Sequence, residues 1–322
     1  MADLLIYTPD EVLFLGLELV GFDLKRQNWV RRSKNLSRFR THYIGEPCVY
    51  AYLWELLQTT DLEKAQLNDL IKKVGAEKCF SYFLMAIHLM ACYPTEEQAE
   101  GIFSKSTGVC DKTWSTWSWD IVSRIYNQHP DIIVWPDRWD NPDSESEEET
   151  IFIVTVDGAH CQIEEPTLDD FSENQKYFSH KFHGPALDYE LAISVYTQDL
   201  VWINGPFPAG CHDLKVFRQG LKQKMLDTRA ARGVEHRGIA DKGYRGEQGL
   251  LSIPSSCDPE RVRDFKGRAL SRHETFNGRM KNFDCLDERF RHHDLLKHKH
   301  CFYAVAVICQ LQLDCGYTLF EV

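Results

Sequence analysis

The sequence has no apolar run long enough to cross a membrane and no basic start of the kind that marks a secretory signal. A membrane-spanning helix needs roughly 20 apolar residues, and none of that length occurs among the 322 residues, which are 43% hydrophobic and 26% charged. The first residues, Met-Ala-Asp-Leu-Leu-Ile, carry an acid where a signal peptide carries basic residues. We therefore expect an intracellular protein that does not bind a membrane.

Closely spaced cysteine pairs are also missing. The 11 cysteines include no Cys-x-x-Cys pair, and an odd number in an intracellular chain favours reduced, mostly buried thiols over a disulfide framework or a zinc knuckle. A histidine-rich stretch near the C-terminus has no acid or cysteine at metal-ligand spacing, so we interpret it as a polar helix surface. Its histidines are His292, His293, His298 and His300.

The chain lacks an excess of positive charge. Its formal net charge of −11 opposes indiscriminate attraction to nucleic acid, yet cations cluster within residues 25–40 and again within residues 261–281. Residues 143–149 are Asp-Ser-Glu-Ser-Glu-Glu-Glu, and because like charges resist compaction they predict a solvated linker. The sequence therefore predicts a helical domain over 1–130, an acidic linker over 131–150 and a second domain over 151–322.

The helical domain contains a pattern that is typical of a helix-turn-helix. Pro94 ends an apolar helix, and Thr95 with Gln98 three residues later forms a capping-box signature for a short helix over about 96–103. A turn over 104–108 and a helix that Asp111 can cap complete the pattern over about 81–127. Helical packing without DNA binding produces the same pattern, so the function of this unit stays open.

Few cations accompany the third helix of this pattern. We expect it to expose Lys112 and Arg124, which provide little attraction for phosphate. The basic arm over 25–40, with Arg31 and Arg32, is the stronger candidate for contact with DNA.

The periodicity changes after the linker. The β-branched run over 151–156 predicts a central strand, and residues 191–196 and 200–203 predict two more strands joined by a turn over 197–199. A helix that begins near His212 and a strand over 237–240 follow. Three strands, a helix, a strand and then helices is the order of the RNase H-like fold, so we predict an α/β domain with a mixed sheet flanked by helices.

Three acids fall where such a fold places a metal site. Asp157 follows the first predicted strand, Asp241 follows the fourth, and Glu274 lies in a basic, helical stretch. A carboxylate at the end of a buried strand is costly unless a cation offsets its charge. The two aspartates therefore indicate metal-assisted phosphodiester chemistry, whereas Glu274 taken alone is equally typical of a solvated helix surface.

Four segments, in order, resemble the transposases of the PIF/Harbinger group, which are DDE-superfamily endonucleases. The segments are Thr-Val-Asp-Gly-Ala-His at 155–160, Gly-Pro-Phe-Pro-Ala-Gly-Cys-His-Asp at 205–213, Ala-Asp-Lys-Gly-Tyr at 240–244 and Arg-His-Glu-Thr-Phe-Asn-Gly-Arg-Met-Lys at 272–281. The resemblance implies that Asp157, Asp241 and Glu274 are catalytic and hold two Mg²⁺ or Mn²⁺ ions. Hard cations of this kind prefer carboxylate oxygen.

The second metal ligand is open between two aspartates. Asp213 precedes a predicted helix, so its commonest role would be to cap that helix, but it is also a possible ligand. We favour Asp241, since a carboxylate beside the first strand reaches the ion that Asp157 holds. The residues that we expect to contact DNA are Lys181, Arg245, Arg272, Arg279, Lys281, Arg31, Arg32 and Lys112.

The resemblance implies a nuclear, metal-dependent DNA endonuclease and strand transferase that acts at transposon ends. It also implies double-stranded DNA as substrate, assembly as a homo-oligomer on that DNA, and a separate Myb-like protein that assists DNA recognition. Two other functions fit the same residues: a domesticated, non-catalytic DNA- or chromatin-binding protein, and an RNase H-like nuclease that acts on RNA or hybrids.

Overall fold

The computed structural model describes residues 5–24, 32–59, 61–108, 110–137, 139, 152–166, 175–233 and 235–322. The acidic run over 143–149 and the basic residues 25–31, which include Arg31, lie outside these residues. In the described part of the chain, no helix combines the length and the apolar character that crossing a membrane requires.

The chain forms two compact units, and each draws on more than one stretch of sequence. The helical unit contains Met1–His129, Asn282–Asp287 and His300–Tyr317, and the sheet unit contains Pro130–Lys281, Glu288–Lys299 and Thr318–Val322. Composition predicted two continuous domains, whereas in the structure two segments from the C-terminal part join the N-terminal helices.

The helical unit consists mainly of seven helices that precede the sheet in sequence. They are α1 (Pro9–Leu19), α2 (Arg32–Tyr43), α3 (Pro47–Thr59), α4 (Asp61–Val74), α5 (Ala76–Cys92), α6 (Glu96–Thr107) and α7 (Asp111–Asn127), and a short helix, α8 (His129–Ile132), follows. The capping box of Thr95 and Gln98 at the start of α6 is confirmed, because each side chain accepts the other residue's backbone N–H.

Two expectations about the predicted helix-turn-helix were wrong. Helix α6 continues through the predicted turn and ends at Gly108, whose left-handed φ of 64° suits glycine. Helix α7 begins at Asp111, but its N-cap residue is Cys110.

Helix α7 exposes less positive charge than its sequence suggested. Arg124 is buried and donates from Nε to Asp120 over 2.9 Å, whereas Lys112 is exposed. The helix-turn-helix and its role in binding DNA therefore stay predictions.

The sheet unit is built on a mixed, six-stranded sheet. Its strands are β1 (Phe152–Gln162), β2 (Phe178–Ser179), β3 (Gly184–Ser194), β4 (Leu200–Pro208), β5 (Arg237–Ala240) and β6 (Leu251–Ser252). Strand β3 pairs antiparallel with β1, β2 and β4, whereas β1 pairs parallel with β5, and β5 with β6. This arrangement is consistent with an α/β nuclease fold.

Several strands extend beyond their predicted limits. Strand β1 continues to Gln162, so Asp157 lies within it rather than at its end. Strand β3 begins at Gly184 instead of Leu191, and β4 continues through Gly205 and Pro206, which the sequence suggested were part of a turn. In the described sheet β4 pairs with β3 alone, and a strand at a sheet edge tolerates proline.

Helices pack on both faces of the sheet. Two helices that follow β4, α9 (Asp213–Arg218) and α10 (Leu221–Arg232), place Phe217 and Met225 in a core with Val154 and Val156 of β1. The long helix α11 (Glu260–Met280) places Ala269 against Phe152 and Ile239 in a separate cluster. Two further helices, α12 (Asp284–Asp287) and α13 (Leu295–Asp314), follow. Apolar packing on both sides therefore fixes the position of β1, the strand that carries Asp157.

The sequence predicted a polar helix surface for the histidine-rich stretch, and this prediction is wrong for His298. His298 of α13 is fully buried, and its Nδ1 lies 2.8 Å from the hydroxyl of Tyr189. Burial lowers the pKa of His298 to about 3, so its ring is neutral near pH 7. This histidine is part of the core of the sheet unit.

Arg272 of α11 was expected to contact DNA, and the structure contradicts this. Its side chain is 2% exposed and donates from Nη2 to the carbonyl oxygens of Ser194 and Val195, over 2.9 and 2.6 Å. Burial lowers its pKa to about 10, so the guanidinium stays charged near pH 7. Arg272 therefore joins α11 to the end of β3 and is not available to phosphate.

Replacing Arg272 by leucine is expected to reduce the free energy of unfolding by about 2 kcal/mol, because two buried carbonyl groups lose their donor. Urea unfolding followed by circular dichroism measures the change. Arg245, which is exposed, provides the control, and its replacement by alanine should change stability by less than about 0.5 kcal/mol. Equal effects of the two substitutions would contradict the structural role of Arg272.

Candidate metal centre

Asp157, within the central strand β1, lies at the centre of a group of carboxylates beside the point where β5 ends. In the parallel pair of β1 and β5, Val156 is opposite Ala240, so the next residues, Asp157 and Asp241, are neighbours. Asp157 Oδ1 accepts the N–H of Gly158 over 2.9 Å, and Oδ2 accepts Nδ2 of Asn277 over 3.1 Å. These two contacts fix the orientation of the carboxylate.

Burial, and with it the negative charges of Asp241, Glu274 and Asp213, raises the pKa of Asp157 to about 7, against the hydrogen bond from Gly158, which lowers it. The three predicted ligands and Asp213 are therefore close enough for their charges to affect one carboxyl group. A cation bound among them would remove the repulsion that raises this pKa.

Asp241, rather than Asp213, is an N-cap residue. The carboxylate of Asp241 accepts the N–H of Gly243 over 2.7 Å at the start of the 3₁₀ turn Lys242–Tyr244. At the start of α9 the cap is His212, whose Nδ1 accepts the N–H of Leu214 over 3.2 Å. The expected cap role of Asp213 is therefore wrong, so capping does not disfavour Asp213 as a ligand. The position of Asp241 beside Asp157 still favours Asp241.

Gly243 lies where the carboxylates of Asp213 and Asp241 meet. A Cβ at this position would collide with Oδ2 of Asp213 and would lie 3.0 Å from Oδ1 of Asp241. A side chain is therefore excluded, and its absence lets the two carboxylates approach one another. Burial, and then the charge of Asp241, raises the pKa of Asp213.

Glu274 is exposed on α11, one helical turn before Asn277. Asn277 therefore connects the helix that carries Glu274 to the strand that carries Asp157. Within the described chain, a Cβ at Gly278 of α11 would meet open space, so packing of the protein does not require this glycine.

Two further acids, Asp188 and Glu190, lie on the part of β3 that precedes Leu191, where the sequence predicted no strand. Both side chains are buried, at 1% and 0% exposure. Burial, together with neighbouring negative charges that include Asp213, raises the pKa of Asp188 to about 7 and that of Glu190 to about 8. Two acids at alternate positions within an apolar run were the signal that would have identified them.

The residues present fit divalent cations. The site offers hard carboxylate oxygens from both sides of the sheet edge, the donors that Mg²⁺ and Mn²⁺ prefer. Oδ1 of Asp188, Oε1 of Glu190 and Oδ1 of Asn277 are buried and have no hydrogen-bond partner. In the described chain, no lysine or arginine forms an ion pair with these acids or with the predicted ligands.

The carboxylates are not drawn into one tight cluster. Among the described residues, the group of three whose ligand atoms all lie within 4.8 Å of one another is His42, His88 and Cys92, in the helical unit. Ligands that surround two ions about 4 Å apart need not meet that limit. Repulsion between carboxylates also favours a looser arrangement when no cation is present.

Hydrogen bonds to the end of α2 satisfy His88 and Cys92 without a metal. His88 Nδ1 donates to the carbonyl of His42 over 3.0 Å, and Cys92 Sγ donates to the carbonyls of Thr41 and His42 over 3.6 and 3.5 Å. Burial raises the pKa of Cys92 to about 12, so its thiol keeps its proton. We assign no cation to this group.

The residues predicted to contact DNA divide by their surroundings. Lys181 and Arg245 are exposed, and Lys281 is half-buried with its Nζ 5.6 Å from the ring centre of Phe182. Arg279 donates to the carbonyl of Thr318 over 3.3 Å, and exposed Arg32 pairs with Asp10 over 3.0 Å. Burial lowers the pKa of His160, and Lys181 and Lys281 lower it further, so both lysines lie near this residue of β1.

In the metal-free protein, Glu190 is expected to lower the free energy of unfolding as the pH rises from about 5 to about 8. Its pKa is about 8, whereas unfolded carboxyl groups titrate near 4, so in this window the folded protein retains a proton that the unfolded chain has released. Burial lowers the pKa of His88 to about 4 and that of His298 to about 3, and these groups act in the opposite direction below about pH 7. The wild type is therefore compared with Glu190→Gln, which has the same histidines. Thermal unfolding in EDTA at several pH values is the measurement, and a melting temperature of the wild type that does not fall relative to that of Glu190→Gln would contradict the prediction.

Residues 156–311 match the model of a family described as DDE superfamily endonuclease. Comparison with curated proteins and with solved structures gives no match. The matched segment begins one residue before Asp157 and includes Asp188, Glu190, Asp213, Asp241 and Glu274. The carboxylate centre therefore lies entirely within a region that is similar to DDE superfamily endonucleases.

Proposed function

We propose that this protein is a divalent-metal-dependent DNA endonuclease and strand transferase of the PIF/Harbinger type, which cleaves phosphodiester bonds at transposon ends. The observation that carries the proposal is geometric. Asp157 and Asp241 follow paired residues of β1 and β5, Asp213 meets Asp241 at Gly243, and Asn277, one helical turn after Glu274, donates to Asp157. The similarity of the same region to DDE superfamily endonucleases supports it independently.

The order of the strands supports an RNase H-like fold for the sheet unit. Three strands, β1, β3 and β4, form an antiparallel meander that is consecutive apart from the two-residue β2, and the later strands β5 and β6 add parallel to β1 on its other side. In this order of elements, Asp157 lies on β1, Asp241 directly follows β5, and Glu274 lies on the later helix α11.

Asp157, Asp241 and Glu274, with Asp213, would hold two Mg²⁺ or Mn²⁺ ions. Bound divalent ions of this kind activate an attacking water or hydroxyl and stabilise the oxygen that leaves. The residues of the chain prepare the site for them. The N–H of Gly158 and Nδ2 of Asn277 orient Asp157, and the N–H of Gly243 orients Asp241.

The same site would serve two successive reactions. In the first, water attacks a phosphorus atom at the transposon end, and the bond to the 3′ oxygen breaks. In the second, the freed 3′-hydroxyl attacks a phosphodiester of target DNA, and the displaced 3′ oxygen of the target leaves. Both are displacements at phosphorus, so carboxylates that are held rigidly in one arrangement suit each of them, and no covalent protein nucleophile is needed.

Cations near the carboxylates are suited to position the DNA backbone. We assign this role to Lys181, Lys281, Arg245 and Arg279, with Arg32 and Lys112 of the helical unit as further contacts. The few cations exposed on α7 favour recognition with help from a Myb-like partner, and we infer a nuclear location and assembly as a homo-oligomer on double-stranded DNA.

Replacement of Asp157 by alanine or Asp241 by asparagine is expected to reduce Mg²⁺-supported cleavage of double-stranded transposon-end DNA at least a hundredfold, because the metals lose a ligand. Replacement of Asp213 by asparagine in the same assay tests its part in holding the ions. Loss with Asp213→Asn but not with Asp241→Asn would reverse the assignment of the second ligand.

The control for this assay is Asp264→Asn, which neutralises an exposed acid on the same helix as Glu274, roughly 15 Å away along the helix axis. Cleavage by this variant should equal that of the wild type. Full binding of DNA with no cleavage by the wild type at any Mg²⁺ or Mn²⁺ concentration would favour a non-catalytic DNA-binding protein instead.

Replacing both Lys181 and Lys281 by alanine is expected to weaken binding of double-stranded DNA and to reduce the dependence of log Kd on log salt concentration by about 2, since two phosphate contacts are lost. Fluorescence anisotropy over a range of salt concentrations measures both effects. An exposed lysine on α10, Lys224, provides the matched control. An unchanged salt dependence in the double variant would remove these lysines from the interface.

A further inference from the structure

Strand β3 places two buried carboxylates beside the strand that carries Asp157. Glu190 is opposite Gly158 and Asp188 is opposite His160 in the antiparallel pair of β1 and β3. Residues two apart on a strand lie on the same face of the sheet, so Asp188 and Glu190 share one face. Asp157 is opposite Leu191 and therefore lies on the other face.

Each of these carboxylates has an oxygen without a hydrogen-bond partner. Oδ1 of Asp188 and Oε1 of Glu190 are both inaccessible to solvent and unpaired, whereas Oε2 of Glu190 accepts Nε1 of Trp202 over 3.2 Å. His160 is the titratable neighbour of Asp188, with Nε2 3.5 Å from Oδ1, beyond good hydrogen-bond geometry. A buried carboxylate without a cation is costly, so these two oxygens indicate a missing positive partner.

The two carboxylates belong electrostatically to the metal centre. The negative charges of Asp213 and Asp157 act on Asp188, and those of Asp188 and Asp213 act on Glu190. Gly158, next to Asp157, leaves space on this side, since a Cβ there would lie 3.0 Å from Oδ1 of Asp188. Asp213 therefore lies beside Asp241 at Gly243, and its charge acts on both acids of β3.

We propose that Asp188 and Glu190 supply additional carboxylate ligands to the divalent-cation centre, on the side of Asp213. The cation on that side would then be held by Asp213 of α9 and the two acids of β3, on the face of the sheet opposite to Asp157. This inference rests on the proposed function, because it assumes that the centre binds hard divalent ions such as Mg²⁺ or Mn²⁺. Strand β3, which carries both acids, lies outside the four sequence segments that resemble the transposases, so the proposal adds ligands from a new strand.

Two charge-removing variants of the full chain, Asp188→Asn and Glu190→Gln, test this proposal with Mn²⁺ as the probe. Isothermal titration measures the number of ions bound and their Kd, and thermal unfolding with and without MnCl₂ measures the stabilisation that the ion provides. We expect at least a tenfold increase in Kd for one ion in each variant. At pH 9, where both acids of the folded wild type are ionised, we also expect each variant to melt at a higher temperature than the wild type in EDTA, because one buried, repelled charge is gone.

The matched control is Glu247→Gln. Glu247 is also largely buried, but its Oε1 accepts Nε of Arg218 and Nζ of Lys222 over 2.6 and 2.8 Å. Its neutralisation should lower the melting temperature in EDTA and leave the Kd for Mn²⁺ unchanged. Opposite changes of the melting temperature in EDTA distinguish a carboxylate that lacks a cation from one that is paired with two.

Unchanged Mn²⁺ stoichiometry and Kd in both β3 variants would overturn the proposal. So would a lower melting temperature in EDTA combined with an unchanged stabilisation by Mn²⁺, since Asp188 would then act only as a structural partner of His160. Asp157→Asn separates this failure from failure of the proposed function. If Asp157→Asn abolishes Mn²⁺ binding while the β3 variants do not, the metal-dependent function stands; if the wild type binds no Mn²⁺, that function itself fails.

Discussion

Repulsion between the carboxylates around β1 is the constraint on which the rest of the sheet unit depends. Parallel pairing of β1 with β5 makes Asp157 and Asp241 neighbours, and the antiparallel partner β3 adds Asp188 and Glu190 from the other side. Lysine and arginine form no ion pair with these acids in the described chain. The charges are therefore kept together by forces that lie outside the site.

Apolar packing on both faces of the sheet provides those forces. Val154 and Val156, which precede Asp157, are fully buried against α9 and α10, and Phe152 packs near α11. Burial of such side chains stabilises by roughly 1.5–3 kcal/mol each, enough to offset part of the cost of confining like charges. Arg272 adds a buried connection between α11 and β3. The rigid part of the molecule is thus the part that positions the acids, as a site that binds metal ions in a fixed geometry requires.

The sequence predicted the elements of the sheet unit more accurately than it predicted their use. Periodicity located β1, β5 and the helix of Glu274, because long apolar stripes determine where a strand or helix must lie. Predictions from periodicity were wrong where polar or charged side chains are buried. Asp188 and Glu190 interrupt an apolar run and so concealed the first half of β3, and the charge of Arg272 suggested a surface that the structure does not have. Which of Asp213 and Asp241 is a cap depended on backbone geometry around Gly243, which spacing along the chain does not encode.

The arrangement of charge couples metal binding to DNA binding in the proposed function. A phosphodiester is negatively charged, so the group of acids around Asp157 repels it until cations are bound. Lys181 and Lys281 lie near His160, beside the acids, but they form no ion pair with them in the described chain. These lysines can therefore attract the flanking phosphates, whereas the scissile phosphate needs the metals. Bound metal would then increase the affinity for DNA, and bound DNA the affinity for metal, by the same factor, because the coupling free energy between two sites is reciprocal. Under the proposed function, a chain with a net charge of −11 would bind DNA selectively in its metal-loaded form, and contact between the acids and DNA would be confined to the state that is competent to cut it.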